Sequence, residues 1–176
     1  IVVGDYARVS WSKSNIFGHH VLANAGGEGY NDFTDGVICS VSLVELLATS
    51  EGGSDYIILG AGDNVGIGGA SDDVVKGGDD RDIVVGDSAV ISFYASSTHP
   101  KNITSLSCDG GDDVLHGGAG PVDYLIGGSF DDTIHGEAGP DLAFGDQAEI
   151  ILDEYESHKL VSAKTIEAQC AGGNDN

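Results

Sequence analysis

Hydrophobic positions along this chain come in short groups of three, separated by six-residue stretches that are rich in glycine and aspartate. The clearest run is residues 68–87, which reads GGASDDVVK, GGDDRDIVV and GD. Each nine-residue unit opens with two glycines, carries an aspartate at its sixth position and closes with the hydrophobic group. Glycine tolerates positive φ angles, so the first six residues predict a turn and the last three a short β-strand.

The nine-residue frame extends well beyond this run. It covers four repeats in residues 50–85 and four more in residues 108–144, and it restarts at Cys170. The opening residues Ile1–Asp5 repeat Ile83–Asp87 letter for letter. We therefore expect the chain to be an excerpt from a longer tandem array.

Side chains alternate between the two faces of a strand, so the middle residue of each hydrophobic group is predicted to point inward. Two repeats make one coil of 18 residues, and strands two repeats apart stack at about 4.8 Å. The pattern predicts an all-β fold, namely a parallel β-roll, which is a solenoid of the right-handed β-helix type. The inward set is Ile57, Val75, Val84, Leu115, Leu125 and Ile134, with Ala143 and Gly66 as weak members.

Three excursions leave this frame, each directly after a Gly-Asp pair. They begin with the same alternation of apolar and polar positions, which predicts an outgoing strand. The alternating residues are Ala7, Val9 and Trp11, then Ala89, Ile91 and Phe93, then Ala148, Ile150 and Leu152. With a returning strand near its end, each excursion is predicted to be a β-hairpin that protrudes from the roll. In the first, loop 26–35 precedes Val41–Ala48, which is compatible with a helix or a strand.

The resulting organisation alternates repeat cassettes and hairpins. Residues 1–5 end a preceding cassette, 6–49 form a long hairpin or loop excursion, and 50–87 form the first β-roll cassette. Residues 88–107 form a hairpin, 108–146 the second cassette, 147–169 another hairpin, and 170–176 the start of the next cassette.

The charge balance is strongly acidic, with 29 acidic against 7 basic side chains and a net charge of −22. Such a surface repels the phosphates of nucleic acids and of anionic membranes, so neither is an expected partner, and no membrane insertion is expected. Divalent cations are the natural counterions. Aspartate carboxylates and turn carbonyls are hard oxygen donors, which suit calcium rather than zinc or copper.

The repeated nonapeptide resembles the RTX, or haemolysin-type calcium-binding, repeat family. That resemblance implies Ca²⁺ between successive turns, bound by the sixth-position side chain and by turn carbonyls. Carried over by position, the metal ligands are Asp55, Asp73, Asp82, Asp113, Asp123, Asp132, Asp141 and Asp175, with Asn64 as a neutral oxygen donor in the same slot.

Some turns depart from the family pattern, and each departure is predicted to cost backbone freedom. Pro121–Val122 lengthens one turn by a residue. Other residues replace a glycine of the motif: Ser71, Asp80 and Phe130 the third, Glu51 and Glu137 the second, and Ser50, Cys108 and Cys170 the first.

The cysteines and histidines leave alternatives open. Cys39, Cys108 and Cys170 are an odd number, and each is compatible with a bridge to a neighbouring hairpin, an intermolecular disulfide or a free thiol. His116 and His135 end repeats one coil apart, which predicts neighbours on one outer face. They are either a transition-metal pair or ordinary surface residues.

Two features of the hairpins suggest contacts or modification. Asn102 begins an Asn-Ile-Thr glycosylation sequon at a predicted hairpin tip, which matters only in a eukaryotic source. The hairpin aromatics either make lateral contacts or cover the base of their own hairpin; they are Trp11, Phe17, Phe93, Tyr94 and Tyr155.

Motifs of common enzymes are absent from the sequence: it has no H-E-x-x-H, no G-x-S-x-G and no P-loop. We therefore expect no enzymatic activity. The expected function is a calcium-rigidified structural or adhesive segment of a large secreted protein at the cell surface or in a filament. Its hairpins would mediate self-association or contacts with neighbouring surface proteins. The alternative is a calcium-triggered folding and secretion module of an exported enzyme or toxin.

Overall fold

The computed structural model describes residues 1–4, 7–11, 41–46, 52–94, 99–105, 108–156, 159–166 and 172–176. Loop 26–35, Phe17, Cys39 and Cys170, all named above, lie outside these residues. Every regular element in the described part is a strand. In chain order the strands are β1 (Val2–Val3), β2 (Ala7–Trp11), β3 (Val41–Leu46), β4 (Tyr56–Ile58), β5 (Asn64–Ile67), β6 (Val74–Gly78), β7 (Asp82–Val85), β8 (Ala89–Phe93), β9 (Pro100–Ser105), β10 (Val114–Gly118), β11 (Tyr124–Gly128), β12 (Thr133–Glu137), β13 (Leu142–Asp146), β14 (Ala148–Leu152) and β15 (Leu160–Thr165).

These strands form three sheets. Sheet I is parallel, with the order β1-β5-β7-β11-β13, and sheet II is parallel, with the order β12-β10-β6-β4. Successive repeats alternate between them, so each coil contributes one strand to each sheet. The all-β class and the parallel stacking are confirmed, and the two sheets are compatible with a β-roll.

The core between sheets I and II consists of the middle residues of the hydrophobic groups. Ile57, Val75, Val84, Leu115 and Leu125 are buried together, and Leu59 and Ile134 pack against them. Ala143 pairs in register with Leu125 and so faces the same side of sheet I, but on the end strand β13 it is exposed and does not join this core.

In one repeat, a side chain from the turn takes the place of the core side chain. Gly66 occupies a middle position, and a Cβ placed on it would lie 2.9 Å from Val75 Cγ1 and 3.1 Å from both methyl carbons of Leu59. Leu59 stands at the position of the first glycine of the motif. Its side chain therefore fills the space that Gly66 leaves in the core.

Sheet III gathers the hairpins into one antiparallel sheet, with the order β15-β14-β9-β8-β3-β2. Within hairpins β2 pairs with β3, β8 with β9 and β14 with β15; between hairpins β3 pairs with β8, and β9 with β14. One row of paired residues crosses all six strands: Val9, Val44, Ile91, Ile103, Ile150 and Ala163. Residues 41–46 are a strand, which settles the choice between helix and strand.

Sheet III does not protrude, and this part of the sequence prediction is wrong. Its side chains pack on the outer face of sheet I in a second core. From sheet I this core takes Val65, Ile67, Ile83, Val85, Tyr124 and Ile126, and from sheet III Val44, Ala89, Ile91, Ile103, Ala148, Ile150 and Leu152. The hairpins are held down because the outward positions of sheet I are apolar and need cover.

The hairpins and the coils have matching spacings. Hairpins leave the stack after β1, β7 and β13, which are every second strand of sheet I. Two coils advance the stack by about 9.6 Å, and two strands of a sheet occupy the same width. One hairpin per two coils therefore tiles the face of sheet I without gaps or overlap.

The hairpin residues named from the sequence have different surroundings. Phe93 packs against the second core, and the Tyr94 hydroxyl donates to the carbonyl of Leu152 at 2.8 Å. Tyr155 is 88% exposed. Asn102 lies within β9, which is paired on both sides, so its predicted place at a hairpin tip is wrong.

His116 and His135 are paired in register on sheet II, with ring centroids 4.9 Å apart, so their predicted proximity is confirmed. His116 Nδ1 lies 2.8 Å from Glu137 Oε1. Cys108 is disulfide-bonded, which excludes the free thiol for this residue. In the described part of the chain no helix is long and apolar enough to cross a membrane.

We predict that Ile91→Ala will lower the free energy of unfolding by about 2–5 kcal/mol, because it leaves a cavity between sheets I and III. Val90→Ala is the matched control. Val90 directly precedes Ile91 in β8, lies on the opposite face and is 36% exposed. Its substitution should lower the free energy of unfolding by less than about 1 kcal/mol. Urea denaturation in saturating calcium measures both. Equal, small effects would mean that the hairpins do not pack on the repeats.

Candidate calcium sites

The sixth-position side chains stack in two ladders, one along each edge where the chain passes between sheets I and II. The first ladder contains Asp55, Asp73, Asp113, Asp132 and Asp175, and the second contains Asn64, Asp82, Asp123 and Asp141. In each step the backbone amide of one member donates to Oδ1 of the next, at 2.7–3.1 Å. One carboxylate oxygen per residue is thus used to align successive coils.

The ladders run without interruption past the hairpins. Asp55 and Asp73 are 18 residues apart, whereas Asp73 and Asp113, on either side of a hairpin, are 40 residues apart and make the same 2.8 Å bond. The step from Asp113 to Asp132 spans 19 residues because of the extra residue at Pro121–Val122. Asp123, which follows that lengthened turn, accepts from the Asp82 amide at 2.8 Å like its counterparts.

The second carboxylate oxygen points into the turn. In the described residues Oδ2 of Asp113, Asp123 and Asp132 is buried and has no hydrogen-bond partner. A buried carboxylate oxygen without a hydrogen-bond partner lowers the stability of the fold by on the order of several kcal/mol, unless a proton or a cation neutralises it. These unpaired oxygen atoms indicate that the turns bind a ligand other than protein, namely a proton or a cation.

Carbonyl oxygens converge on the same places. A Cβ on Gly68 would collide with Asp73 Oδ2 and with the carbonyl oxygen of Gly86, the equivalent glycine one coil further on. Gly127 has the same relation to Asp132 and to the carbonyl of Gly145. The first glycine of the motif is required here because any side chain would fill the space in which these oxygens meet.

This donor set fits calcium, which takes six to eight hard oxygen ligands from carboxylates, carbonyls and water. Across the described residues no three His, Cys, Asp or Glu side chains form one metal-binding group. A bound ion would therefore combine one or two ladder carboxylates with turn carbonyls. The oxygens that converge at Gly68 and Gly127 are hard donors of the kind that calcium prefers.

Asn64 behaves differently from the aspartates of its ladder. Its backbone amide joins the ladder by donating to Asp82 Oδ1 at 2.9 Å. Its side-chain Nδ2 donates to the turn carbonyls of Gly62 at 2.6 Å and Gly60 at 3.3 Å. The amide nitrogen thus donates to turn carbonyls, and the turn at Asn64 carries no ladder carboxylate of its own.

The replaced glycines of the motif keep the glycine conformation. Ser71, Asp80 and Phe130 have φ angles of 77°, 70° and 76°, and Glu137 has a φ angle of 67°. A non-glycine residue in this region costs about 1–2 kcal/mol. The turn shape is thus retained at these positions against the local preference of the residues, as the sequence predicted.

Burial and mutual repulsion raise the pKa values of ladder carboxyls, including those of Asp113, Asp123 and Asp132, in the absence of metal. Burial is the main cause in each case: it raises the pKa of Asp113 to about 9, of Asp132 to about 7 and of Asp123 to about 6. The neighbouring carboxylates add to this; Asp87 and Asp132, for example, raise the pKa of Asp113. The empty ladder therefore takes up protons near neutral pH where calcium is missing.

Sequence reasoning missed two aspartates, Asp87 and Asp146, which belong to the Gly-Asp pairs that precede hairpins. Asp87 is fully buried, and burial raises its pKa to about 8. Oδ1 of each has no hydrogen-bond partner among the described residues. The recurring GD was visible in the sequence, but it had served only to mark where each hairpin begins.

We predict opposite pH dependences with and without calcium. In an unfolded chain Asp87, Asp113, Asp123 and Asp132 titrate near about 3.9. The metal-free fold raises the pKa values of these four carboxyls, so it loses stability as pH rises from about 4 towards 9. With calcium the ion competes with protons, and acidification should instead weaken the fold. Thermal melts between pH 5 and pH 8.5, in chelator and in calcium, measure this. Parallel curves would contradict the assignment of the ladder as the metal site.

We also predict that Asp123→Asn will raise the calcium concentration needed for folding severalfold, because affinity follows the charge of the ligands. The Asn oxygen can still accept the ladder bond from Asp82, so only the charged Oδ2 is lost. Asp79→Asn, in an exposed position, makes the same change in net charge and should have no effect. Circular dichroism during a calcium titration compares the two, and equal midpoints would exclude Asp123 as a ligand.

Comparison with protein families gave one result. The model of the RTX calcium-binding nonapeptide repeat matches in four copies, over residues 49–65, 58–89, 109–121 and 122–147. Comparison with curated proteins and with solved structures found no match. The resemblance drawn from the sequence is confirmed, and the buried carboxylates, the convergent carbonyls and the parallel coils all belong to this kind of repeat. Residues 49–89 and 109–147 of this chain are RTX calcium-binding nonapeptide repeats.

Proposed function

We propose that this segment is a calcium-rigidified structural element of a large secreted protein, acting in a surface layer, an adhesin or a filament. The observation that carries the proposal is the continuous sheet III. Three hairpins pair with one another and cover the outer face of sheet I along the stack. A module that needed only to fold after export has no use for such a covering layer.

Calcium supplies the rigidity in this proposal. Without it the ladder carboxylates repel one another, and glycine-rich turns lose much conformational entropy on folding. Each ion would join neighbouring coils, since the converging oxygens come from two coils. Because stability in repeat proteins depends on nearest neighbours, successive ions would stiffen the whole stack. Extracellular calcium-binding modules work at about 10⁻⁴–10⁻³ M calcium, so the chain would stiffen after secretion.

The surfaces left open suit contacts with other molecules of the same layer. Leu160 and Val161 lie on β15 at an edge of sheet III and are exposed, and Tyr155 is exposed near the turn that precedes this strand. We place self-association or contacts with neighbouring surface proteins there. The proposed role requires no chemistry, and we assign no enzymatic activity to the segment.

We predict that the segment will resist mechanical load only in calcium. In single-molecule force spectroscopy, pulling from both ends should give cooperative unfolding peaks in millimolar calcium and featureless extension in chelator, with magnesium as the control ion. Ile91→Ala should lower the peak force, because it weakens the attachment of sheet III. If the chain folds in calcium but extends without resistance, the structural role is wrong, and the alternative of a calcium-triggered folding module remains.

A further inference from the structure

The aspartate of each Gly-Asp pair lies where a hairpin leaves the repeats. Asp87 follows β7 and precedes β8, and its side chain is 0% exposed. Its Oδ2 accepts a hydrogen bond of 2.6 Å from the Ser129 amide, in the next coil of the stack. Its Oδ1 is buried and has no hydrogen bond of good geometry among the described residues, although the nearby backbone N–H of Gly111 lowers the pKa of this carboxyl. The protein therefore holds Oδ2 of this carboxylate in place, whereas Oδ1 remains available to a ligand.

The surroundings of Asp87 include the chain that returns from the hairpin. A Cβ on Gly110, which follows the hairpin, would collide with Asp87 Oδ1, so the carboxylate lies against both the outgoing and the returning chain. Asp113 comes three residues after Gly110. Its Oδ2 is also buried without a hydrogen-bond partner among the described residues, and it lies against Gly86. Two carboxylates with unsatisfied oxygens thus meet at the root of the hairpin, one from each side of it.

The same arrangement recurs at the next hairpin. A Cβ on Gly172 would collide with Asp146 Oδ1, another buried oxygen without a partner in the described part of the chain, and a Cβ on Gly145 would collide with Asp175 Oδ2. Between the two hairpins stands Gly128, paired with Asp146 and lying against the Asp87 carboxylate. A side chain at position 128 would displace the Asp87 carboxylate. The aspartate of one coil therefore requires a glycine at the equivalent position of the next coil.

We propose that Asp87 and Asp146 are calcium ligands of a second class, which together with Asp113 and Asp175 bind an ion at the root of each hairpin. Where a turn without a hairpin follows a strand of sheet I, the same position is glycine, namely Gly69 after β5 and Gly128 at the end of β11. Hairpin-bearing turns therefore hold one carboxylate more than the other turns, and this charge makes their calcium the more tightly bound. The ion joins the two ends of the hairpin and so fixes sheet III to the repeats.

This inference rests on calcium binding by the repeats, and the test separates the two. Isothermal titration of the whole chain with calcium, and with terbium as a luminescent probe, would be compared for the wild type, Asp87→Asn and Asp79→Asn. Asparagine keeps the size of the side chain and an oxygen for the Ser129 amide. We expect Asp87→Asn to weaken the tightest calcium binding by about tenfold or more, and Asp79→Asn to bind like the wild type.

Hydrogen exchange in saturating calcium supplies a second measurement. Amides of β8 and β9 should exchange faster in Asp87→Asn, while those of β4, which lies two strands away from β10 in sheet II, should keep their protection. If Asp87→Asn does not fold, Asp146→Asn tests the same idea at a less buried carboxylate, with β14 and β15 as the reporting strands.

The outcomes are distinct. If Asp87→Asn binds calcium like the wild type and its hairpin stays protected, the aspartate is a buried protonated acid and the inference is overturned. If the wild type binds no calcium, the proposed function fails as well. Tight binding lost together with hairpin protection supports the hairpin-root site.

Discussion

The structure depends on one constraint: carboxylates stacked about 4.8 Å apart cannot all remain charged and buried unless cations lie between them. Asp113, Asp123 and Asp132 each accept from the backbone of a neighbouring coil with one oxygen and leave the other unpaired in the turn, among the described residues. The first oxygen aligns the coils, and the second makes the aligned stack unfavourable at neutral pH. Calcium reverses the sign of this second contribution, because it turns mutual repulsion into shared coordination.

Packing alone offers little to oppose the repulsion. The core between sheets I and II is one layer of side chains, with Val75, Val84, Leu115 and Leu125 fully buried. The second core, between sheets I and III, is larger and includes Tyr124 and several isoleucines. Much of the hydrophobic stabilisation thus lies outside the repeats, in the layer that the hairpins add, and the register of that layer matches the spacing of the coils.

Much of this could be predicted from the sequence, because the nonapeptide is a local code. The turn glycines, the sixth-position aspartate and the middle strand residue act within one repeat or its immediate neighbour. For this reason the parallel stacking and the inner core were recovered, apart from Ala143. The ladder positions were named as well, although Asn64 proves to donate to its own turn.

The packing of sheet III is a longer-range property, and it was missed. The signal was present in every second repeat. The last residue of the hydrophobic group is Ile67, Val85, Ile126 or Phe144 in sheet I, but Lys76, His116 or His135 in most of sheet II. An apolar outward row on one sheet alone indicates a covering layer. Averaging over all repeats hides this difference, and local patterns do not show which hairpins pair with each other.

The match between one hairpin and two coils also limits how such a chain can grow. Loss or gain of a single nonapeptide would exchange the strands of sheets I and II beyond that point and expose the apolar row. Loss or gain of one coil would keep the sheets but shift the next hairpin by one strand. In the column where aspartate now alternates with glycine, such a loss would place aspartate against aspartate, and a gain would place glycine against glycine. The smallest change that preserves both is four nonapeptides together with one hairpin, which is therefore the unit in which genetic duplication can lengthen or shorten the array.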